Sequence, residues 1–256
     1  MELNDKLAAV VTGGGSGLGA ATSKALASKG VKVTIFDVNE EGGNAIAKEI
    51  GGMFAKVDVS DHASVAEGLK AARAAHGQES ICVNCAGVGW AAKTIDRDGN
   101  AHDPEMYAKL IGINLIGSFN VASQCAAGMA TQDPLNEDGE RGVIINTASV
   151  AAYDGQIGQI AYSASKGGVV GMTLPMARDL SRSGVRVMTI APGIFETPMV
   201  GGMPQEVQDA LGAMVPFPSR LGKPEEYGNL AVNICETPML NGEVIRLDGA
   251  IRMAPR

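Results

Sequence analysis

The stretch AAVVTGGGSGLG, residues Ala8–Gly19, runs from a wholly apolar segment into a glycine-rich turn and then a helical pattern over Leu18–Ser28. A second apolar run, Lys32–Phe36, follows at once and ends on Asp37. A strand apolar on both faces, a tight turn, a helix and another such strand make a βαβ unit. The turn has the spacing T-G-x-x-x-G-x-G. Gly13 permits the turn, Gly17 lets backbone approach a pyrophosphate, and Gly19 lets the helix pack closely. The helix N-terminus offers free N–H groups and a favourable dipole to phosphates. A glycine-rich loop alone is weak evidence, because a plain surface turn has the same composition.

The pattern repeats outward. Apolar runs at Ala8–Thr12, Lys32–Phe36, Met53–Val57, Ile81–Asn84, Val143–Thr147, Arg186–Ile190 and Val244–Leu247 alternate with helical patterns. The helices are expected at Leu18–Ser28, Glu40–Ile50, Ser64–Ala75, Pro104–Ala130, Ala161–Ser181 and Glu225–Glu236. Right-handed crossovers then give an α/β, doubly wound Rossmann fold, with a seven-stranded parallel sheet and helices on both faces. One domain over 1–256 is expected. Lys93–Asp103 and Asp133–Arg141 read as surface loops. The segment from Pro192 to about residue 214 follows a strand's carboxyl end and reads as a substrate cover.

Composition narrows the function. The 256 residues are 45% hydrophobic with net charge −7, enough apolar material for a core and no global basic face for nucleic acid. The cysteines Cys82, Cys85, Cys125 and Cys235 are too few for a disulfide framework. Cys82 and Cys85 form C-x-x-C within and after a strand, which turns them to opposite faces. With no second pair to complete a zinc site, no metal is expected. Glu2 and Asp5 at the start argue against a leader. The uncharged run Leu110–Gln132 carries Asn114, Ser118 and Asn120, which hydrocarbon penalises, so it reads as a helix buried against protein. A cytoplasmic protein with no membrane partner is expected.

Asp37 lies 18 residues after Gly19, where a carboxylate can accept both ribose hydroxyls and repel a 2′-phosphate, favouring NAD over NADP. Asp58 and Val59, after the third strand, offer a carboxylate and an N–H to an adenine edge. Cys85, Ala86 and Gly87 after the fourth let a cofactor lie close. Tyr162 and Lys166 stand at i and i+4, one helical face, and Ser149 precedes Tyr162 by 13 residues. A phenol of pKa about 10 is a poor base at neutral pH. A neighbouring ammonium, helped by a nicotinamide cation, would lower it, and a shift of three units takes about 4 kcal/mol. Tyr162 could then exchange the proton of a substrate hydroxyl held by Ser149.

These positions, with Asn114 and Pro192-Gly193, resemble the short-chain dehydrogenase/reductase family. The resemblance implies that Asn114 kinks its helix and positions a water on Lys166. It also implies that Phe195 and Thr197 join Tyr162 and Lys166 as cofactor contacts. A narrower resemblance links Gly142–Ala152, Tyr162–Leu174, Val215–Gly222 and Asn241–Met253 to the 3-hydroxyacyl-CoA dehydrogenases of that family, which are also described as hydroxysteroid dehydrogenases. It implies NAD, with Ser16 and Leu18 among its contacts, an acyl-CoA or hydroxysteroid substrate, and a homotetramer. Glu196 in the cover and Trp90 after the fourth strand are departures that bear on chain length. A secondary-alcohol dehydrogenase, an acyl-carrier-protein reductase and a non-catalytic scaffold are the competing readings.

Overall fold

A computed structural model describes residues 1–255, with Met199 described by its backbone alone; Arg256, at the end of the expected domain, lies outside them. The strands are β1 (Ala8–Thr12), β2 (Lys32–Asp37), β3 (Met53–Lys56), β4 (Ile81–Asn84), β5 (Gly142–Thr147), β6 (Val185–Pro192) and β7 (Val244–Leu247). They form one sheet in the order β3-β2-β1-β4-β5-β6-β7, parallel at every pairing. The order reverses between β1 and β4, and a crevice opens at the carboxyl ends of strands at such a reversal. The register aligns those ends: Thr12 pairs with Phe36 and with Asn84, and Asn84 with Asn146.

The helices are α1 (Gly17–Ser28), α2 (Glu40–Ile50), α3 (His62–His76), α4 (Pro104–Ile111), α5 (Gly117–Met129), α6 (Ile160–Asp179), α7 (Pro198–Gly201), α8 (Gln205–Ala213) and α9 (Pro224–Glu236). Strand alternation sorts them into two layers. Val11, Ile35, Val83 and Ile145 face one side, packed with Leu26 of α1, Ala47 of α2 and Ile234 of α9. Val10, Phe36, Cys82 and Ile144 face the other, with Leu69 of α3, Cys125 of α5 and Ala177 of α6. The inner strands β1, β4 and β5 are thus largely apolar on both faces because both are covered.

Three expectations need correction. The predicted helix Pro104–Ala130 is two helices joined by a π-helical segment, Gly112–Ile116. It is also less covered than expected: Pro104–Met129 is the one described helix long and apolar enough to cross a membrane, and half of its most apolar window is buried. The polar segment Asp133–Arg141 is not wholly a surface loop. Its Glu140 is buried, accepting from Arg186 Nε at 2.8 Å and pairing with the Met1 ammonium at 3.0 Å. The four cysteines are free, with Cys82 and Cys85 directed to opposite faces, and no cluster of metal-ligand side chains exists among the described residues.

Candidate active site

The glycine turn is built by contacts no side chain would tolerate. Gly13 has φ +63°, and a Cβ there would stand 2.8 Å from Ala86 N. Gly17 has φ +50° and lies against Thr197. Gly19 packs on the turn rather than the sheet: its Cβ would come within 2.2 Å of Gly13 O. Ala86 N donates to Thr12 Oγ1 at 3.0 Å, tying the ends of β1 and β4 together across the reversal.

The residues present fit a dinucleotide. Helices α2, α3 and α4 have Asn39, Asp61 and Asp103 at their N-caps, each accepting a backbone N–H. Helix α1 does not: Ser16 caps it without a side-chain bond, and no acidic residue occupies the first turn. Its positive end is therefore free for phosphate. Asp37 Oδ2 accepts from Gly15 N at 3.0 Å and Oδ1 from Asn39 N at 2.9 Å, which fixes the carboxylate beside the turn with lone pairs to spare. Asp58 lies two residues beyond the end of β3, exposed, with Oδ1 accepting from Ser60 N and Ser60 Oγ. Val59 is buried, and its carbonyl accepts from Asn120.

Four side chains converge at the carboxyl end of β5. Ser149 caps a 3-10 turn, Val150–Ala152, and Oγ accepts from Ala151 N at 3.1 Å. Its hydroxyl favours the charged form of the neighbouring Tyr162 phenol. Lys166 is buried, donates to Thr147 O at 2.8 Å and lies 5.8 Å from the Tyr162 ring centroid. Asn114 sits in the π segment, where Oδ1 accepts from Val88 N at 2.9 Å and Nδ2 donates to Val88 O at 2.9 Å and Ser165 Oγ at 3.1 Å. Gly87 is exposed beside them: a Cβ there would be 3.2 Å from Asn114 Oδ1 and 3.5 Å from Lys166 Nζ. A bare floor at that point leaves room for a flat ring.

The electrostatics differ from the sequence expectation. Burial pushes the Tyr162 phenol above its ordinary value, and the Ser149 hydroxyl only partly offsets this. Burial also lowers Lys166, to about 8. Desolvation of the phenolate outweighs the help of an ammonium that is itself desolvated and turned to Thr147 O. A further positive charge beside the phenol is therefore needed to ionise it near neutrality.

Other predicted residues sit less directly. Pro192 ends β6, and Gly193 N donates to Leu247 O at 2.9 Å. Leu18 is half-buried in α1. Phe195 is buried and packed over Gly222, which leaves its backbone for any ligand. Thr197 caps α7. The Cys85 thiol points to Tyr227 rather than into the crevice. Trp90 is half-buried under Lys109, whose Nζ lies 5.6 Å from the ring centroid. Glu196 is exposed and lines a cleft of about 400 Å³ with Gly17, Lys24 and Gln208. Thr147, Ser165 and Tyr227 were not singled out from the sequence. Only their positions, after a strand or within a helix, could have marked them.

Comparison with known proteins agrees with this geometry. The family described as short chain dehydrogenase matches residues 7–208. A 3-hydroxyacyl-CoA dehydrogenase type-2 of Drosophila melanogaster is 52% identical over 249 residues, 96% of this chain and 97% of the relative. Its namesake in Homo sapiens is 51% identical over 97% of this chain and 96% of the relative. The crystal structure of the Mycobacterium avium 3-hydroxyacyl-CoA dehydrogenase type-2 superposes with a TM-score of 0.94 at 42% identity, covering 98% of each chain. With a glycine turn at the strand reversal and a Ser-Tyr-Lys cluster facing it, the chain belongs to the short-chain dehydrogenase family.

Proposed function

We propose that this dehydrogenase interconverts 3-hydroxyacyl-CoA and 3-oxoacyl-CoA with NAD as cofactor. Dehydrogenases of this family use nicotinamide cofactors. The observation that carries the reading is the convergence of Ser149, Tyr162 and Lys166 beside the bare Gly87 floor, at the mouth of the β1–β4 crevice. The choice of acyl-CoA rests on relatives of that name at about half identity over nearly the whole chain.

A nicotinamide held there would supply the hydride acceptor for the substrate carbon and, when oxidised, a positive charge. Gly13, Gly17, Gly19 and the free end of α1 would hold its diphosphate, and Asp37 its adenosine ribose. Asp58, Val59, Ala86, Pro192, Gly193 and Thr197 would hold the rest of it, with Phe195 contributing backbone. Ser149 would hold the substrate hydroxyl against Tyr162, whose phenolate takes the hydroxyl proton and becomes the phenol. Lys166, seated by the hydrogen bond that it donates to Thr147 O, steadies the phenolate. The Asn114 side chain is spent on Val88 and Ser165. Its backbone carbonyl accepts from Ser118 Oγ at 2.7 Å, and a relay water would share that carbonyl.

Asp37 favours NAD because a 2′-phosphate beside a carboxylate is repelled. The half-exposed Ile116 and Phe119 on α5 and its π segment, with Leu174 on α6, support a homotetramer. Four free thiols support a reducing compartment such as the cytoplasm. The test compares acetoacetyl-CoA, a 2-methyl-branched 3-hydroxyacyl-CoA and a 17β-hydroxysteroid, each with NAD and NADP. Acyl-CoA turnover with NAD is expected, and Tyr162→Phe should lower kcat by about 10²–10⁴-fold with NADH binding retained. Preference for NADP, or for the steroid alone, overturns the reading.

A further inference from the structure

Tyr227 comes from α9, which lies outside the stretch of chain that carries the catalytic cluster, and its side chain is fully buried. Its hydroxyl lies 2.7 Å from Thr147 Oγ1, and the Cys85 thiol donates to it at 3.8 Å. Counting protons fixes the direction. Thr147 has one hydroxyl proton and donates it to Asn84 O, so the bond at 2.7 Å is donated by Tyr227. The result is a directed chain, Cys85 to Tyr227 to Thr147 to Asn84, buried from Tyr227 onward. Thr147 therefore has both of its polar ends engaged. Its hydroxyl is clamped between α9 and β4, and its carbonyl receives Lys166 Nζ at 2.8 Å.

We infer that Tyr227 is a positioning residue for the dehydrogenase reaction: through Thr147 it fixes the carbonyl that seats the Lys166 ammonium. The inference rests on the catalytic reading of Lys166 and Tyr162 given above. Tyr227 touches neither crevice nor substrate, so it acts only through the strand end it holds. A phenol in an apolar layer otherwise costs stability unless its hydroxyl is satisfied, and phenylalanine would fill the same volume. The hydroxyl's partner is the one β5 residue whose carbonyl receives the catalytic ammonium.

Loosening Thr147 weakens the acceptor that favours the charged form of Lys166. Neutral lysine gains, and the phenol loses part of its stabilising charge. The direct readout is the titration of Lys166 followed by the 13Cε signal of labelled lysine in the full-length protein without cofactor, assigned with Lys166→Met. In Tyr227→Phe the Lys166 pKa should fall by about half a unit. In the presence of NAD and substrate, kcat should fall about tenfold, with KM nearly unchanged and the rise of kcat with pH displaced upward. Thr147→Val keeps the carbonyl but removes Oγ1; it should give the same displacement, and the double variant no more than either single one. It also serves if Tyr227→Phe folds poorly, and Thr147→Ser should restore wild-type behaviour. A lower melting temperature with an unmoved Lys166 titration and pH profile would make Tyr227 a core residue only and overturn the inference. Tyr162→Phe run alongside separates the two levels: if that variant keeps turnover, the catalytic reading itself has failed.

Discussion

Lys166 shows how a single side chain sets function against stability. Burial lowers it to about 8 from its ordinary 10.5, so holding it charged at neutral pH costs about 3 kcal/mol. The unfolded chain binds more protons between those two values, so this penalty is full below pH 8 and fades as pH rises toward 10.5. Lys166→Met should therefore abolish turnover yet melt no lower than wild type at pH 7, with any advantage shrinking by pH 10. A melting point several degrees lower at pH 7 would contradict this. At this scale the sequence was informative where chemistry needs a fixed residue type at fixed spacing: Gly13, Asp37, Ser149, Tyr162 and Lys166 all face one crevice. It was silent on Thr147, because the backbone carbonyl does the work and any residue supplies one. It also misjudged the Tyr162 phenol, since desolvation depends on packing that no local motif encodes.

The joint between α4 and α5 matters most among the elements. A π segment at Gly112–Ile116 inserts one residue into the helical ladder and turns Asn114 inward, where it bonds both backbone groups of Val88. Asn114→Ala would leave those groups buried without partners, a loss of about 2 kcal/mol. Urea denaturation should report that loss, and kcat should fall at least tenfold because Gly87 and Val88 would shift against Lys166. Unchanged stability would mean that the loop is held elsewhere. From the sequence, Pro104–Ala130 reads as one helix because an inserted residue barely disturbs a pattern that is apolar almost all round. Strands β1 to β7, by contrast, were legible within a residue or two, since each is a short apolar run between turn signals, and β1, β4, β5 and β6 are buried throughout.

At the scale of the whole molecule, a buried ionic cluster ties the far side of the sheet together. Arg186 on β6 donates to Glu140 and to the carbonyls of Ile234, Cys235 and Leu240 at the end of α9. Burial pushes the Glu140 carboxyl up, but Arg186 and the Met1 ammonium outweigh it and hold it below its ordinary value. A depressed carboxyl gives its full stabilisation above the unfolded value, about 4.3, and loses it as pH falls through the folded one. Glu140→Gln should cost about 3 kcal/mol at pH 7, and the difference from wild type should close as pH drops below 4. Thermal denaturation across that range checks it, and a constant gap would sink the account. The sequence hid this cluster because Glu140 lies in a stretch rich in Asp, Asn and Gly that has every mark of a solvent loop.

The unfinished start of α1 has a further consequence. Where neighbouring helices close their first turns with a side chain of their own, this one awaits an outside anion, so loading and local ordering become a single event. Amide exchange in the turn around Ser16–Gly19 should slow selectively when dinucleotide is added. Heat resistance should climb with the logarithm of its concentration.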